Sequence, residues 1–292
     1  MGARILDGRA LAAELRDGLA RDAAALRERG VVPRLLVAMV GEDESSLAYV
    51  RGMMALGAKV GIEVTVQVLS EAIDDEGVRA ALARYDADPA VHGIILAQPL
   101  PKHLSIRAIG SAMPERKDVD GTNPVNQGRL AFGTGARFVP ATPAAVMLLL
   151  ERSGAWPLYG RDVTVVGRSN VVGLPVSLLL MAQDATVTVT HKATADIKAH
   201  TRNAEVLIVA AGEPHLVDAS WLRPGAVVID VGTTVVDGKL LGDVDFESAA
   251  AVASEITPVP GGVGPVTNVA LMRHVIQAAF ATLEAERLAR HN

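Results

Sequence analysis

Residues 161–193, RDVTVVGRSNVVGLPVSLLLMAQDATVTVTHKA, hold a strand, a glycine turn, a helix and a second strand in that order. Val163 to Val166 is a β-branched run ending at Gly167. Val171 to Met181 is apolar enough for a helix packed under a sheet, and Thr186 to Thr190 supplies the next strand. The stretch reads as one βαβ unit. Only Gly167 and Gly173 fall where a dinucleotide turn needs glycine, so the full three-glycine fingerprint is missing and an ordinary crossover without ligand stays open on pattern alone. The end of the second strand shifts the balance. A site built for NAD places Asp or Glu there for the ribose hydroxyls, whereas this chain has Thr190, His191 and Lys192, with Arg168 back in the turn. Cations in that place suit a 2′-phosphate, and the unit reads as NADP-binding.

The chain has 292 residues, enough for two α/β domains sharing a cleft, each with a buried core. Half of it is apolar, but no run reaches transmembrane length without a charge or a turn residue, so no membrane partner is expected. Its start, MGARILDGRALAAEL, lacks an apolar signal core, and zero cysteines exclude a disulfide scaffold or thiolate metal site. A cytoplasmic location is the expectation. A net charge of −5 and 3% aromatic residues provide neither a basic footprint nor stacking platforms, which argues against nucleic acid as a partner.

Upstream of the βαβ unit the pattern is again alternating. Helices are expected over Leu11–Arg29, from Ser45 or Ser46 to Lys59, and over Asp74–Tyr85, with strands at Leu35–Val40, Glu63–Leu69 and Gly93–Ala97. The strand at Ile94 to Ala97 runs into Gln98-Pro99-Leu100-Pro101, where two prolines fix the backbone at the kind of strand edge that binds ligands; a rigid turn is the plainer reading. Lys117-Asp118-Val119-Asp120-Gly121 is a polar loop whose acids could bind a metal, cap a helix or hold the nitrogens of a heterocycle. Ala141 to Ser153 is an apolar helix expected to bridge the domains. Downstream, Val206–Ala210 and Ala226–Val231 are apolar strands that enlarge the second sheet, and Asp230-Val231-Gly232-Thr233 ends the last of them at the mouth of the cleft. Ile256 to Pro265, ITPVPGGVGP, is too rich in proline and glycine for helix or central strand and reads as hinge and binding loop together. A final helix is expected over Asn268–Leu288, packed back onto the first domain.

Five motifs in order, Asp118-Val119-Asp120-Gly121, Asn126-Gln127-Gly128-Arg129-Leu130, Gly167-Arg168-Ser169-Asn170-Val171-Val172-Gly173, Gly242-Asp243-Val244-Asp245-Phe246 and the Pro258 to Pro265 loop, together resemble the methylenetetrahydrofolate dehydrogenase/cyclohydrolase family over essentially the whole chain. The resemblance implies an α/β fold of two domains around a cleft, the second a Rossmann-type dinucleotide-binding domain, and a homodimer. Residues 1–145, completed by about 268–292, would form the folate-binding catalytic domain, and residues 146–267 the NADP-binding domain. It also implies NADP along Gly167, Arg168 and Ser169, with Lys192 and Thr233 at two further cofactor positions. Tetrahydrofolate derivatives would bind near Tyr49, Gln98, Pro99, Asp120, Pro260 and Gly261. Asp120 would accept hydrogen bonds from the amidine-like edge of the pterin, and Tyr49 would line the site. His103, His191 and His215 lie in separate segments without ligand spacing, so no metal is expected. Asp243 and Asp245 read as loop-shaping acids.

The chain departs from the family at informative positions. In the family's Tyr-Val-x-x-Lys motif the lysine activates water for hydrolysis, but Tyr49-Val50-Arg51-Gly52-Met53 has methionine there. Lys59, six residues on, is roughly 120° around the helix and cannot replace it. The accompanying glutamine falls at Ala97, with Gln98 one position late, where a local bulge could swing it in. Ala141 and Leu174 replace a family cysteine and lysine. The implied activity is NADP-dependent oxidation of 5,10-methylenetetrahydrofolate to the 5,10-methenyl compound, with cyclohydrolase activity weak or absent. The alternatives are a bifunctional enzyme using another base, and a non-catalytic folate- or nucleotide-binding homologue.

Overall fold

The computed structural model describes residues 2–42 and 44–289. The first part of the chain forms β1 (Arg4–Ile5), α1 (Gly8–Glu28), β2 (Arg34–Val40), α2 (Glu44–Val60), β3 (Glu63–Leu69), α3 (Asp75–Ala87), β4 (Gly93–Leu96), α4 (Ile106–Gly110) and α5 (Pro124–Phe132). Then come α6 (Ala141–Leu150), β5 (Asp162–Val166), α7 (Gly173–Met181), β6 (Thr186–Thr190), α8 (Ile197–Thr201), β7 (Val206–Val209) and β8 (Val227–Asp230). A short hairpin of β9 (Thr234–Val236) and β10 (Lys239–Leu241) follows, then α9 (Phe246–Ala250), β11 (Glu255–Ile256) and α10 (Val263–Ala289). The chain divides into two compact units, one of residues 1–13 and 142–267, the other of residues 14–141 and 268 onward. No helix among the described residues is long and apolar enough to cross a membrane.

In the second of these units β2 is the central strand of a parallel sheet ordered β3-β2-β4. Its residues Leu35 to Val40 are buried, as a strand covered on both faces must be, and this is why they read as a continuous apolar run. Leu36, Ala38, Val40, Ile94 and Leu96 on one sheet face pack with Val78 and Leu82 of α3. Beyond β4 an isolated parallel bridge joins Ile94 to Asp118, so the Lys117–Gly121 segment runs alongside that strand. Asp120, two residues on, lies toward the carboxyl edge from which Ala97, Gln98 and Pro99 depart.

The other unit holds a six-stranded sheet ordered β1-β11-β8-β7-β5-β6, all parallel. From β5 the chain goes to β6 on one side and then to β7 on the other, so the topological switch point lies at β5. Val166, Leu207, Val209, Val228 and Ile256 form a core with Trp221 and Leu222. The N-terminal strand belongs to this sheet, pairing Arg4 with Glu255 and Ile5 with Ile256. Arg4 adds a salt bridge to Glu255, a carboxylate that also accepts from the Gly154 amide.

Two expectations are corrected. Ile256, assigned to the proline-glycine loop, is paired with β8 and with β1 and is fully buried. The last helix starts at Val263 and not at Asn268, because Pro265 falls in its first turn, where a missing N–H costs no helical hydrogen bond. The remaining loop, residues 257–262, is pinned by the Arg9 amide, which donates to the Gly261 carbonyl at 3.1 Å.

Candidate active site

The carboxyl edge of the six-stranded sheet gathers every expected cofactor residue. Parallel pairing sets Val166 beside Thr190, and the Gly167 amide donates to the Thr190 carbonyl at 2.9 Å, so the turns carrying Arg168 and Lys192 leave neighbouring strands. Arg168, Ser169 and Lys192 are exposed there. Gly167 has φ of +118° and an added Cβ would meet the Ala210 carbonyl oxygen at 2.1 Å; one on Gly173 would meet the Gly167 oxygen at 2.2 Å. The turn is therefore folded tightly onto the segment after β7, with room only for glycine, as close approach of a pyrophosphate requires. The Ser169 hydroxyl accepts from the Val172 and Gly173 amides at 3.2 and 3.5 Å, a local cap of α7 that leaves its proton to donate. Thr233 is exposed just past β8, and Pro260 and Gly261 belong to the loop leaving β11 at the same edge. Exposed cations beside the end of β6, with no carboxylate at Thr190, His191 or Lys192, fit a 2′-phosphate, and the tight glycine turn fits the diphosphate next to it.

In the other unit the KDVDG segment assigns separate tasks to its three charged residues. Lys117 is buried and its Nζ donates to the carbonyls of Tyr85, Asp86 and Asp88 at 3.2, 2.7 and 2.7 Å, closing the C-terminus of α3. Burial lowers its pKa, and the Asp86 charge opposes this. Asp118, fully buried, accepts from the Thr122 amide and hydroxyl, the Asn123 amide and the Asn126 side chain at 2.8 to 2.9 Å. Burial pushes its carboxyl up and these bonds pull it back. Asp118→Ala is expected to lower unfolding stability in urea by roughly 3 kcal/mol, since it strands buried donors worth about 1–3 kcal/mol each; a loss under 1 kcal/mol would contradict this role.

Asp120 is the acid of this segment that remains available. Its carboxylate takes a hydrogen bond from the Ala141 amide at the start of α6, and it keeps part of its surface open. The protein packed around it pushes its pKa up to about 7, the Asp118 charge adding to the effect and the Ala141 bond opposing it. The segment is also held from α10. His274, buried, lies with Nδ1 2.8 Å from the Val119 carbonyl, which fixes the proton on that nitrogen, and its ring packs against Phe138 at 5.6 Å between centroids. Burial lowers the His274 pKa to about 4, so the ring is neutral at physiological pH. Sequence reasoning missed His274 and the organising roles of Lys117 and Asp118. A polar residue on the apolar terminal helix, and the spacing of Asp118 to Thr122, Asn123 and Asn126, were the available signals.

Met53 lies in α2 with 0% of its surface exposed, while Lys59 on the same helix is exposed. Tyr49 is in α2 as expected, and its side chain lies outside the described residues. The strand ladder continues past β4 without an extra residue, the Ala97 amide donating to the Ala38 carbonyl at 2.8 Å. Ala97 is buried and Gln98 and Pro99 are exposed, so the bulge that would swing Gln98 into the place of Ala97 is absent. Asp245 caps α9 by accepting from the Ser248 amide, and His103, His191 and His215 each sit in a turn or loop. Among the described residues no group of three or more His, Asp or Glu could hold a metal ion.

The chain is similar to known proteins over most of its length. Residues 6–120 match the catalytic domain, and residues 140–283 the NAD(P)-binding domain, of the tetrahydrofolate dehydrogenase/cyclohydrolase family. The chain is 47% identical over 276 residues to "Bifunctional protein FolD" from a Parafrankia strain, covering 94% of this chain and 99% of that protein. The protein of the same name from Aromatoleum aromaticum is 46% identical, with 99% of each chain covered. Among solved structures, the bifunctional FolD methylenetetrahydrofolate dehydrogenase/cyclohydrolase of Campylobacter jejuni superposes with a TM-score of 0.92 at 37% identity, covering 96% of this chain and 99% of that one. The Trypanosoma brucei dehydrogenase-cyclohydrolase, solved with NADP and an inhibitor, gives 0.92 at 37% identity over 97% and 99%. With both family domains matched in order and relatives aligned almost end to end, this chain belongs to the tetrahydrofolate dehydrogenase/cyclohydrolase family.

Proposed function

We propose that this protein oxidises 5,10-methylenetetrahydrofolate to 5,10-methenyltetrahydrofolate with NADP, and that it has little or no cyclohydrolase activity. Support for the first step comes from similar solved structures named as methylenetetrahydrofolate dehydrogenases, one of them bound to NADP. The exposed Arg168 and Lys192 beside a strand end without a carboxylate at Thr190, His191 or Lys192, and the Asp120 carboxylate with its open side, add to it. Residues 14–141 with the terminal helix would hold the folate, and residues 142–267 the dinucleotide. A homodimer in the cytoplasm is part of the same reading, by family resemblance.

In the dehydrogenase step the C–H bond of the methylene carbon breaks with its electron pair leaving as hydride, and the positive charge spreads over the two flanking nitrogens. NADP supplies the hydride acceptor. No side chain has to move a proton, so the chain's work is orientation, with Asp120 as carboxylate accepting from the pterin's N–H edge. Hydrolysis of the product is a different demand. Water must add to the cation and give up a proton, which needs a base. A thioether cannot serve, and the methionine at position 53, where the resemblance puts the family's lysine, is the single observation that carries the proposed loss of this step.

A second reading, both steps with another residue as base, is favoured by the name "Bifunctional protein FolD" on relatives 42–47% identical. The absorbance of reactions with methylenetetrahydrofolate and either coenzyme separates the readings, because coenzyme reduction and methenyl accumulation are followed together. The same assay checks the coenzyme. Lys192→Asp is expected to cut the preference for NADP over NAD by about ten-fold or more, one charge-assisted phosphate contact being worth very roughly 1–3 kcal/mol. Equal use of the two coenzymes by the unmodified protein would sink that part of the proposal.

A further inference from the structure

Asp230 and Asp243 are buried side by side behind the carboxyl edge of the six-stranded sheet, 3% and 0% exposed, and nothing in the hydride-transfer scheme uses them. Asp243 Oδ2 accepts from the Ala211 and Gly212 amides at 2.6 and 2.8 Å, in the segment that follows β7. Asp230, the last residue of β8, accepts through Oδ1 from the Gly232 and Asp243 amides at 2.9 and 3.0 Å and through Oδ2 from the Val244 amide at 3.0 Å. Its own amide donates to the Thr257 hydroxyl at 2.8 Å. The pair thus ties together the segments leaving β7, β8, β10 and β11. The fit is close: a Cβ on Gly232 would stand 2.3 Å from Asp243 Oδ1, and one on Gly242 2.0 Å from Asp230 Oδ2. Ala210, next to the braced amides, is the residue against which Gly167 folds. Burial pushes the Asp230 carboxyl up to about 6, with the Asp243 charge adding to it, so the arrangement costs stability that neutral acceptors would not. Such a cost is tolerated where loop geometry serves binding.

A dinucleotide straddles the switch point of a parallel sheet. With the 2′-phosphate half at the β6 end, the nicotinamide half falls to the β7 and β8 side, where Asp243 acts. Resting on the NADP reading above, we propose that Asp243 is a positioning residue for the nicotinamide half of the cofactor, holding the Ala211–Gly212 amides in the conformation that this half needs.

Calorimetric titration with NADPH and with adenosine 2′,5′-bisphosphate, which carries only the 2′-phosphate half, tests this directly. Asp243→Ala is expected to weaken NADPH about tenfold or more and to leave the bisphosphate within about twofold. Asp243→Asn is isosteric and keeps an uncharged oxygen toward both amides, so it is expected to show the same asymmetry at about three- to fivefold. If the alanine variant does not fold, the asparagine variant carries the test. Equal weakening of both ligands, or unchanged NADPH affinity, overturns the inference alone. If the unmodified protein binds neither ligand, the cofactor reading fails and this inference with it.

Discussion

Supplied with methylenetetrahydrofolate and NADP, the unmodified protein is expected to accumulate methenyltetrahydrofolate in step with NADPH. Met53 occupies a fully buried position on α2, and a lysine there would lose hydration and shift its pKa downward, the property a water-activating base needs near neutrality. Methionine at the same point is compatible with the packing and has no basic nitrogen. General acid-base assistance is worth about 10²- to 10⁴-fold, so Met53→Lys, alone or with Ala97→Gln, is expected to raise turnover of added methenyltetrahydrofolate by about 10²-fold or more. The variant is also expected to melt lower, because the buried amine must be desolvated. Decay of methenyltetrahydrofolate catalysed by the unmodified protein well above its rate in buffer would show that another residue supplies the base.

Asp120→Asn is expected to separate activity from stability in opposite directions. As an acceptor for the pterin edge Asp120 must be ionised, and an asparagine turns a donor toward donors. With charge-assisted bonds worth about 1.5–3 kcal/mol each, kcat/KM for methylenetetrahydrofolate should fall by about 10²-fold or more. The carboxyl of the free protein titrates at about 7, so kcat/KM of the unmodified protein is expected to rise with pH up to that value and level off above it. A flat profile from pH 5 to 9 would contradict the acceptor role. The stability effect has a definite sign. A carboxyl whose pKa is raised on folding is destabilising once ionised, fully so above about 7 and not at all below its unfolded value near 4. The asparagine variant should therefore unfold at higher urea concentration than the parent at pH 8, by a few kcal/mol at most, and show no such gain near pH 4.

The family membership and the site depend on different kinds of information in this chain. Local patterns sufficed for the elements: the β-branched run before Gly167, the alternation of Glu63 to Leu69 and the strand at Thr186 to Thr190 are found where periodicity puts them, because strand and helix faces impose spacings on neighbouring residues. The order of motifs sufficed for the family. Short pieces escaped, among them α4, α8 and α9 at five residues each and the β9–β10 hairpin, whose Asp237-Gly238 turn with φ of +49° and +73° was its sequence signal. Ile256 was hidden because a two-residue strand inside a proline-rich segment has no periodicity to read, and only its partners on β8 and β1 make it one. The acids show the limit most plainly. Asp118 and Asp120 are equivalent as letters, and the sequence left metal binding, capping and ligand binding open for both. Tertiary packing surrounds Asp118 with four hydrogen bonds and leaves Asp120 with the Ala141 amide and an open side. Met53 is the converse case: the chemical consequence of a thioether was legible from the residue itself, because no fold can give it a titratable proton, whereas its complete burial is decided by residues distant in the chain.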